Sequence, residues 1–174
     1  MNKNLFNGNI MLIGFMGSGK SSVSRYFNRK YGLEVVEMDQ LIVEQQGMSI
    51  NDIFTKYGEE YFRNLETELL INIQSKNNVV VSCGGGVAMR DRNVVEMKKN
   101  GTVVLLEASP QTILDRVKHN NDRPLLKGKK NVEAISELME VRRPKYQAAA
   151  DIVIKTDNKS VKNICEEVIE KLNK

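Results

Sequence analysis

Residues 14–21 read Gly14-Phe15-Met16-Gly17-Ser18-Gly19-Lys20-Ser21, and they come directly after the apolar run Ile10–Ile13. They satisfy the pattern G-x-x-x-x-G-K-[ST], in which glycines let the backbone turn tightly and direct successive N–H groups at phosphate oxygens. The motif needs a strand before it and a helix after it, and the helix adds the positive end of its dipole. The sequence therefore predicts a phosphate-binding loop between the first strand and the first helix.

This loop has the chemistry to hold a nucleoside triphosphate. We expect the Lys20 ammonium to reach the β and γ phosphates and the Ser21 hydroxyl to bind Mg²⁺, which bridges phosphate oxygens rather than occupying an all-protein cage. A glycine-rich turn that only caps a helix is the alternative, and the position after a strand favours nucleotide binding. The expected nucleotide-binding residues of the loop are Gly17, Ser18, Gly19, Lys20, Ser21 and Ser22.

Short apolar runs alternate with segments of helical periodicity along the chain. The predicted strands are Ile10–Ile13, Val35–Met38, Val79–Val81, Val103–Leu106 and Ile152–Ile154. The predicted helices are Ser21–Tyr31, Ile50–Tyr57, Glu59–Ile73, Arg92–Lys99, Pro110–Lys118, Val132–Ala149 and Val161–Leu172. The strands are too apolar for either face to be exposed to solvent, which is typical of a parallel sheet covered by helices on both sides. The sequence therefore predicts an α/β protein with three α/β/α layers around a five-stranded parallel sheet.

Length and composition favour a single domain over residues 1–174, since 41% hydrophobic residues can bury a core of ordinary size. The two cysteines, Cys83 and Cys165, lie far apart and form no CxxC pair, which argues against a zinc site or a disulfide framework. No apolar run approaches the length of a membrane span, and no signal peptide is evident. We therefore expect a cytoplasmic protein that does not bind membranes.

The charge pattern favours small anionic ligands. There are 26 Lys and Arg against 22 Asp and Glu, a net charge of +4, and the basic residues are dispersed. No basic stripe interleaved with aromatic residues is present, so we do not expect nucleic-acid binding.

Two further features follow the second and third predicted strands. Glu37 and Asp39 have period-two spacing at the end of the second strand, which predicts two carboxylates on one strand face near the phosphate loop. One could serve the metal and the other an acceptor. Gly84–Gly86 follow the third strand and would let a ligand approach bare backbone, although a flexible loop is the alternative.

The ordered motifs of the chain resemble those of the shikimate kinase family. They are GFMGSGKSS, EMDQLI, GMSINDIFTKYGEEYFRNLE, VVVSCGGG, RPLL, RRPKY and AAADIVI, and the resemblance runs from Gly14 to about Ile154. It implies a P-loop fold like that of nucleoside monophosphate kinases. It also implies that ATP phosphorylates the 3-hydroxyl of shikimate, giving 3-phosphoshikimate and ADP, in the route to aromatic amino acids.

The resemblance implies specific roles on the acceptor side. Asp39 matches the aspartate that hydrogen-bonds the acceptor hydroxyls and accepts a proton. Arg63 and Arg142 match two arginines that hold the substrate carboxylate, and a planar guanidinium can pair with it bidentately. Arg143 is the neighbouring alternative to Arg142, and the spacing to Tyr146 favours Arg142.

It implies further roles around the transferring phosphate. Gly84–Gly86 match a loop that contacts substrate and γ-phosphate. Arg123 matches a catalytic arginine on a mobile lid over about residues 120–131, and Arg116 matches an arginine on the adenine side. The acceptor-binding helical segment would cover about residues 39–66, and we expect a monomer that binds ATP and shikimate.

The chain departs from the family pattern at two places. Glu37 stands where the family usually has the first aspartate of Asp-x-Asp, so its longer side chain would reach the metal through water. Residues 156–160, in the position of the adenine-side loop, lack the proline often found there.

Other P-loop proteins are the alternatives to this interpretation. A nucleoside monophosphate kinase would carry a Gly-Phe-Pro-Arg type motif where this chain has Gly84–Gly86, and gluconate kinases usually carry histidines in their acceptor motifs. A nucleotide-dependent switch such as a GTPase would carry Asn-Lys-x-Asp, whereas here Asn158-Lys159 is followed by Ser160-Val161.

Overall fold

The structure is a computed structural model that describes residues 5–118 and 131–174. Five parallel strands form one sheet in the order β2-β3-β1-β4-β5. The strands are β1 (Asn9–Ile13), β2 (Glu34–Glu37), β3 (Val79–Ser82), β4 (Gly101–Glu107) and β5 (Ile152–Lys155). The helices are α1 (Lys20–Tyr31), α2 (Met38–Gln46), α3 (Ile50–Tyr57), α4 (Glu59–Ile73), α5 (Asp91–Lys99), α6 (Pro110–Val117), α7 (Val132–Ala149) and α8 (Val161–Leu172).

Two hydrophobic cores lie on opposite faces of the sheet. Along the buried strand β1, Met11 and Ile13 belong to one core, while Ile10 and Leu12 belong to the other. This alternation is the period-two geometry of a strand covered on both faces. The predicted three-layer α/β/α fold is therefore confirmed.

Helix boundaries follow the sequence closely, because side-chain caps mark several of them. The side chains of Ser49, Ser109, Asn131 and Ser160 each accept a hydrogen bond from the backbone N–H three residues later, at the starts of α3, α6, α7 and α8. Pro110 occupies the first position of α6, where its missing N–H costs nothing. The seven predicted helices agree with the structure to within one residue at each end.

The segment around Met38 contradicts the sequence prediction. The second strand was expected to run to Met38 and to carry Glu37 and Asp39 on one face, but β2 ends at Glu37 and α2 begins at Met38. The pairing of β2 with β3 stops at Glu37 because its partner, Ser82, is the last residue of β3. Asp39 therefore lies in the first turn of a helix. The sequence did not predict α2, whose buried residues are only Met38 and Ile42.

Within the described residues, no helix is both long enough and apolar enough to cross a membrane. Residues 119–130, which include Arg123 and nearly all of the expected lid, lie outside the described part of the chain.

Candidate active site

The phosphate loop lies at the carboxyl end of β1, and its conformation requires glycine. Gly14, Gly17 and Gly19 have φ values of 148°, 79° and 105°, a region that other residues rarely adopt. A Cβ atom on Gly14 would lie 2.5 Å from the carbonyl oxygen of Leu106, and one on Gly17 would lie 2.8 Å from Val117. Gly14 and Gly17 are therefore required by both backbone geometry and space, and Gly19 by backbone geometry.

Lys20 crosses the loop that precedes it. Its Nζ donates to the carbonyl oxygens of Gly14 at 2.8 Å and Phe15 at 3.1 Å, which places the ammonium at the centre of the loop. Gly19 precedes α1 and has no side chain to cap the first amides of the helix. These N–H groups and the helix dipole are suited to bind an anion.

A cluster of oxygen-bearing side chains lies beside the loop. The Ser21 hydroxyl donates to Glu37 Oε2 at 2.7 Å and lies 3.5 Å from the Ser82 hydroxyl, while the Ser24 hydroxyl donates to Glu37 Oε1. Among residues 5–118 and 131–174, no three His, Cys, Asp or Glu side chains form a group that could hold a metal. A few hard oxygen atoms next to a phosphate site fit Mg²⁺, which takes most of its ligands from phosphate and water.

A cavity of about 600 Å³ opens in front of the loop. It is lined by the loop and the start of α1, by Glu37, Asp39 and Gly85, and by Arg116 and Lys159. Arg116 Nη1 donates to the Gly17 carbonyl at 2.9 Å and lies 3.4 Å from Thr156 Oγ1. The structure thus brings Arg116 and the 156–160 segment to the phosphate loop.

The glycine loop after β3 lies directly under the predicted acceptor residues. A Cβ on Gly84 would lie 2.9 Å from Asp39 Oδ1, and one on Gly86 would lie 2.6 Å from Arg63 Cζ. A Cβ on Gly85 would lie 3.4 Å from Arg142 Nη1. These three side chains come from α2, α4 and α7, so the missing Cβ atoms allow three separate elements to converge on one backbone segment.

Arg63 is held by an acidic partner that the sequence analysis did not single out. Its Nη1 pairs with Glu66 Oε1 at 2.7 Å, and its Nη2 pairs with Glu59 Oε1 at 3.0 Å. Burial raises the pKa of Glu66 to about 7 although Arg63 opposes the shift, and the Asp39 carboxylate adds to it. Burial lowers the pKa of Arg63, but Glu66 and Glu59 together outweigh this effect and the net direction is upward.

Arg142 approaches the glycine loop from α7. It is only 9% exposed, and its Nη1 has no hydrogen-bond partner among the described residues. Its guanidinium lies 5.7 Å from the centre of the Phe15 ring. Arg143, by contrast, points outward and pairs with Glu140 at 2.6 Å with about half of its side chain exposed. Arg142 is thus the arginine of the pair that faces the loop.

Tyr146 fixes the same loop from one turn further along α7. Its hydroxyl donates to the Gly85 carbonyl at 2.5 Å, and burial raises its pKa although Arg142 opposes the shift. In the sequence, the position of Tyr146 supports Arg142 over Arg143 but does not indicate this contact. The spacing of three between Arg63 and Glu66 places both on one helix face and indicates their ion pair, but it does not indicate that Glu66 is buried.

Cys83 has no sign of reactivity. It is 2% exposed at the end of β3, and burial raises its pKa to about 12 although Lys20 opposes the shift. A thiol of this kind is a packing residue.

A phosphate loop at the carboxyl edge of a parallel sheet, facing arginines and carboxylates that converge on a glycine loop, defines a small-molecule kinase of the P-loop class. A family model described as shikimate kinase matches residues 16–173. A shikimate kinase of Dehalococcoides mccartyi is 41% identical over 166 residues, covering 95% of this chain and 94% of that protein. A shikimate kinase of a Sulfurihydrogenibium species is 45% identical over 166 residues, covering 95% of this chain and 98% of that protein. The chain belongs to the shikimate kinase family.

Solved structures agree. Shikimate kinase from Acinetobacter baumannii in complex with shikimate superposes with a TM-score of 0.90 at 30% identity, covering 96% of this chain and 93% of that one. The shikimate kinase from Aquifex aeolicus superposes with a TM-score of 0.81 at 38% identity, covering 95% of this chain and 96% of that one. A gluconokinase from Sinorhizobium meliloti superposes with a TM-score of 0.60 over 97% of this chain and 93% of that one. At 17% identity, this similarity shows the fold alone. The chain is an ATP-dependent kinase that phosphorylates a hydroxyl group.

Proposed function

We propose that this enzyme transfers the γ-phosphate of ATP to the 3-hydroxyl of shikimate and releases 3-phosphoshikimate and ADP. The family assignment supports this substrate, and so does the relative from Acinetobacter baumannii that was solved with shikimate. The observation that carries the proposal is the buried guanidinium of Arg142, whose Nη1 lacks a partner among the described residues. A buried charged donor without a partner is costly, and a ligand carboxylate would satisfy it.

On the donor side, the loop amides and Lys20 would bind the β and γ phosphates and neutralise their charge. Ser21 would supply a direct protein ligand to Mg²⁺, and Glu37 would act on the metal indirectly, through water or through the Ser21 hydroxyl. When bound there, Mg²⁺ would supply positive charge that stabilises the transferring phosphoryl group. Arg116 would contact the nucleotide from the Thr156 side.

On the acceptor side, Arg63 and Arg142 would hold the carboxylate of shikimate, and Gly84–Gly86 would let its ring approach the backbone. Asp39 would bind the ring hydroxyls and accept the proton of the attacking one. Held in this way, the hydroxyl would lie in line with the γ-phosphate, and positioning of this kind supplies much of the catalysis in phosphoryl transfer.

Several predictions rest on sequence resemblance alone. They are the catalytic role of Arg123, the lid over residues 120–131, the acceptor-binding segment over 39–66 and a monomeric state. Two other predictions rest on the sequence itself: a single domain on length and composition, and a cytoplasmic location on the lack of a long apolar run or an evident signal peptide.

The test is ADP release from Mg·ATP with different acceptors. Shikimate should be phosphorylated, while gluconate and nucleoside monophosphates should not. Shikimate methyl ester, which keeps every hydroxyl but lacks the carboxylate charge, should lose at least about tenfold in kcat/KM because charged hydrogen bonds to two arginines are lost. Phosphorylation of gluconate or a monophosphate, with no response to shikimate, would contradict the proposal.

A further inference from the structure

Ser21 and Ser24 lie three residues apart on α1 and therefore on one face of the helix. That face is turned towards Glu37 at the end of β2. Ser21 donates to Glu37 Oε2 at 2.7 Å, and Ser24 donates to the other carboxylate oxygen, Oε1. The carboxylate is thus held at both oxygens by two hydroxyls from the same helix.

The Ser24 hydroxyl has one proton to donate and few acceptors within reach. Ser24 is completely buried, and its Oγ lies within hydrogen-bond distance of only two acceptors among the described residues, Glu37 Oε1 and the Ser21 carbonyl at 2.9 Å. A carboxylate is a stronger acceptor than a helix carbonyl that is already shared within the helix. The proton of Ser24 is therefore directed at Glu37.

This contact matters because the last torsion of a glutamate side chain is broad and roughly two-fold. With one donor the carboxylate could rotate, whereas two donors fix its plane. A fixed carboxylate keeps the proton of Ser21 on the Glu37 side and leaves the lone pairs of Ser21 facing the phosphate loop. Without Ser24, Ser21 could turn its proton to the Ser82 hydroxyl, which is 3.5 Å away.

We propose that Ser24 is a positioning residue that acts through Glu37 to orient the hydroxyl of Ser21 towards the Mg²⁺ of a bound nucleotide. The proposal rests on the proposed function only for the identity of the donor, because it makes no use of the acceptor. Ser24 itself touches neither nucleotide nor metal in this scheme.

Calorimetry of ADP binding with and without Mg²⁺ tests the proposal without any acceptor present. Ser24→Ala should reduce the Mg²⁺-dependent gain in ADP affinity by roughly three- to tenfold, the effect of one hydrogen bond. Its affinity for ADP in EDTA should equal that of the unmodified protein. An unchanged Mg²⁺-dependent gain would overturn the proposal, and so would an equal loss in EDTA.

Two further variants separate positioning from a general effect on folding. In a Glu37→Ala background, which removes both acceptor oxygens, adding Ser24→Ala should produce no further loss, because Ser24 acts only through that side chain. Glu37→Asp, whose carboxylate is set back by one methylene from both hydroxyls, should reproduce the loss with Ser24 intact. Additive losses in the double variant, or no effect of Glu37→Asp, would refute the mechanism.

The matched control is Ser75→Ala. Ser75 lies between α4 and β3, at the end of the strands opposite to the phosphate loop. Ser75 donates to the carbonyl of Asn72 at 3.0 Å, which is the same three-residue backbone bond that Ser24 could make. This variant should show the full Mg²⁺-dependent gain. If the enzyme failed to phosphorylate shikimate, the proposed function would be contradicted. The calorimetric test of Ser24 would still be valid, because it uses no acceptor.

Discussion

The donor and acceptor regions of the site are built in different ways. The donor region, residues 14–21 with Glu37, comes mostly from one continuous segment whose geometry depends on glycine backbone and on carbonyl oxygens that hold Lys20. The acceptor region, Asp39, Arg63, Glu66, Gly84–Gly86 and Arg142, comes from four segments that meet through side chains. Backbone amides do not titrate, whereas buried side-chain charges do. We therefore expect the donor region to tolerate changes of pH and the acceptor region to respond to them.

The largest effect should come from removing the one charged side chain at the centre of the donor region. Lys20→Ala should reduce kcat for ATP-dependent phosphorylation by at least about a hundredfold, because a preorganised charge at the transferring phosphate is lost. Circular dichroism should show an intact fold. Lys76→Ala, which breaks only the exposed pair with Glu34, is the control and should keep normal activity. Undiminished turnover in Lys20→Ala would remove the donor mechanism.

The acceptor region should show its buried charge as a dependence of stability on pH. Burial raises the folded-state pKa of Glu66 from 4.5 to about 7, so the folded protein binds this proton more tightly than the unfolded chain does. The resulting stabilisation is fully present below about pH 4.5 and is lost as the pH rises to about 7. Up to about 3 kcal/mol of unfolding free energy is involved.

Glu66→Gln cannot ionise and should lack this loss. Urea unfolding at pH 5 and pH 8 should therefore show a smaller decrease in stability for Glu66→Gln than for the unmodified protein. Glu60→Gln, which removes a carboxylate 81% exposed, should follow the unmodified protein. Equal decreases in all three proteins would mean that the ionisation of Glu66 adds nothing to the pH dependence of stability between pH 5 and pH 8, so that the acceptor region is not pH-sensitive through this group.

The same difference decides how much could be predicted from sequence. The donor loop was predicted residue by residue, because a continuous motif carries its own backbone geometry. From local pattern alone, Glu37 and Asp39 were placed on one strand face, yet the sheet ladder ends at Glu37 and Asp39 starts a helix. The convergence of Arg63 and Arg142 on Gly84–Gly86 could be predicted only from family resemblance, since local periodicity does not report contacts between distant segments.

Glu66 was missed for a physical reason. In a sequence, a glutamate three residues after an arginine usually indicates an exposed ion pair on a helix surface. Only the packing of α4 over the glycine loop makes Glu66 fully buried, and that packing depends on glycine at position 84, where a Cβ would lie 2.5 Å from Glu66 Oε2.

The two adjacent arginines of α7 offer a smaller and sharper test of the acceptor region. Arg142→Lys should raise the KM for shikimate by about ten- to a hundredfold, because an ammonium cannot make the bidentate pair with a carboxylate. Arg143→Lys should change KM by less than about twofold, since its exposed pair with Glu140 contributes little. Steady-state kinetics on both variants, with ATP saturating, would reveal the reverse order if the neighbouring residue were the ligand.

The smallest expected effect tests whether side chains of the acceptor region also hold its backbone. Tyr146→Phe removes the hydroxyl that donates to the Gly85 carbonyl at 2.5 Å and leaves the buried ring in place. KM for shikimate should rise about three- to tenfold, as expected for one hydrogen bond, with a smaller change in KM for ATP. Tyr61→Phe, which removes a hydroxyl bonded to Gln46 at 2.9 Å on the surface, should change neither constant. If Tyr146→Phe left both constants unchanged, the glycine loop would hold its shape by backbone alone, and the contrast with the donor region would apply only to the charged side chains.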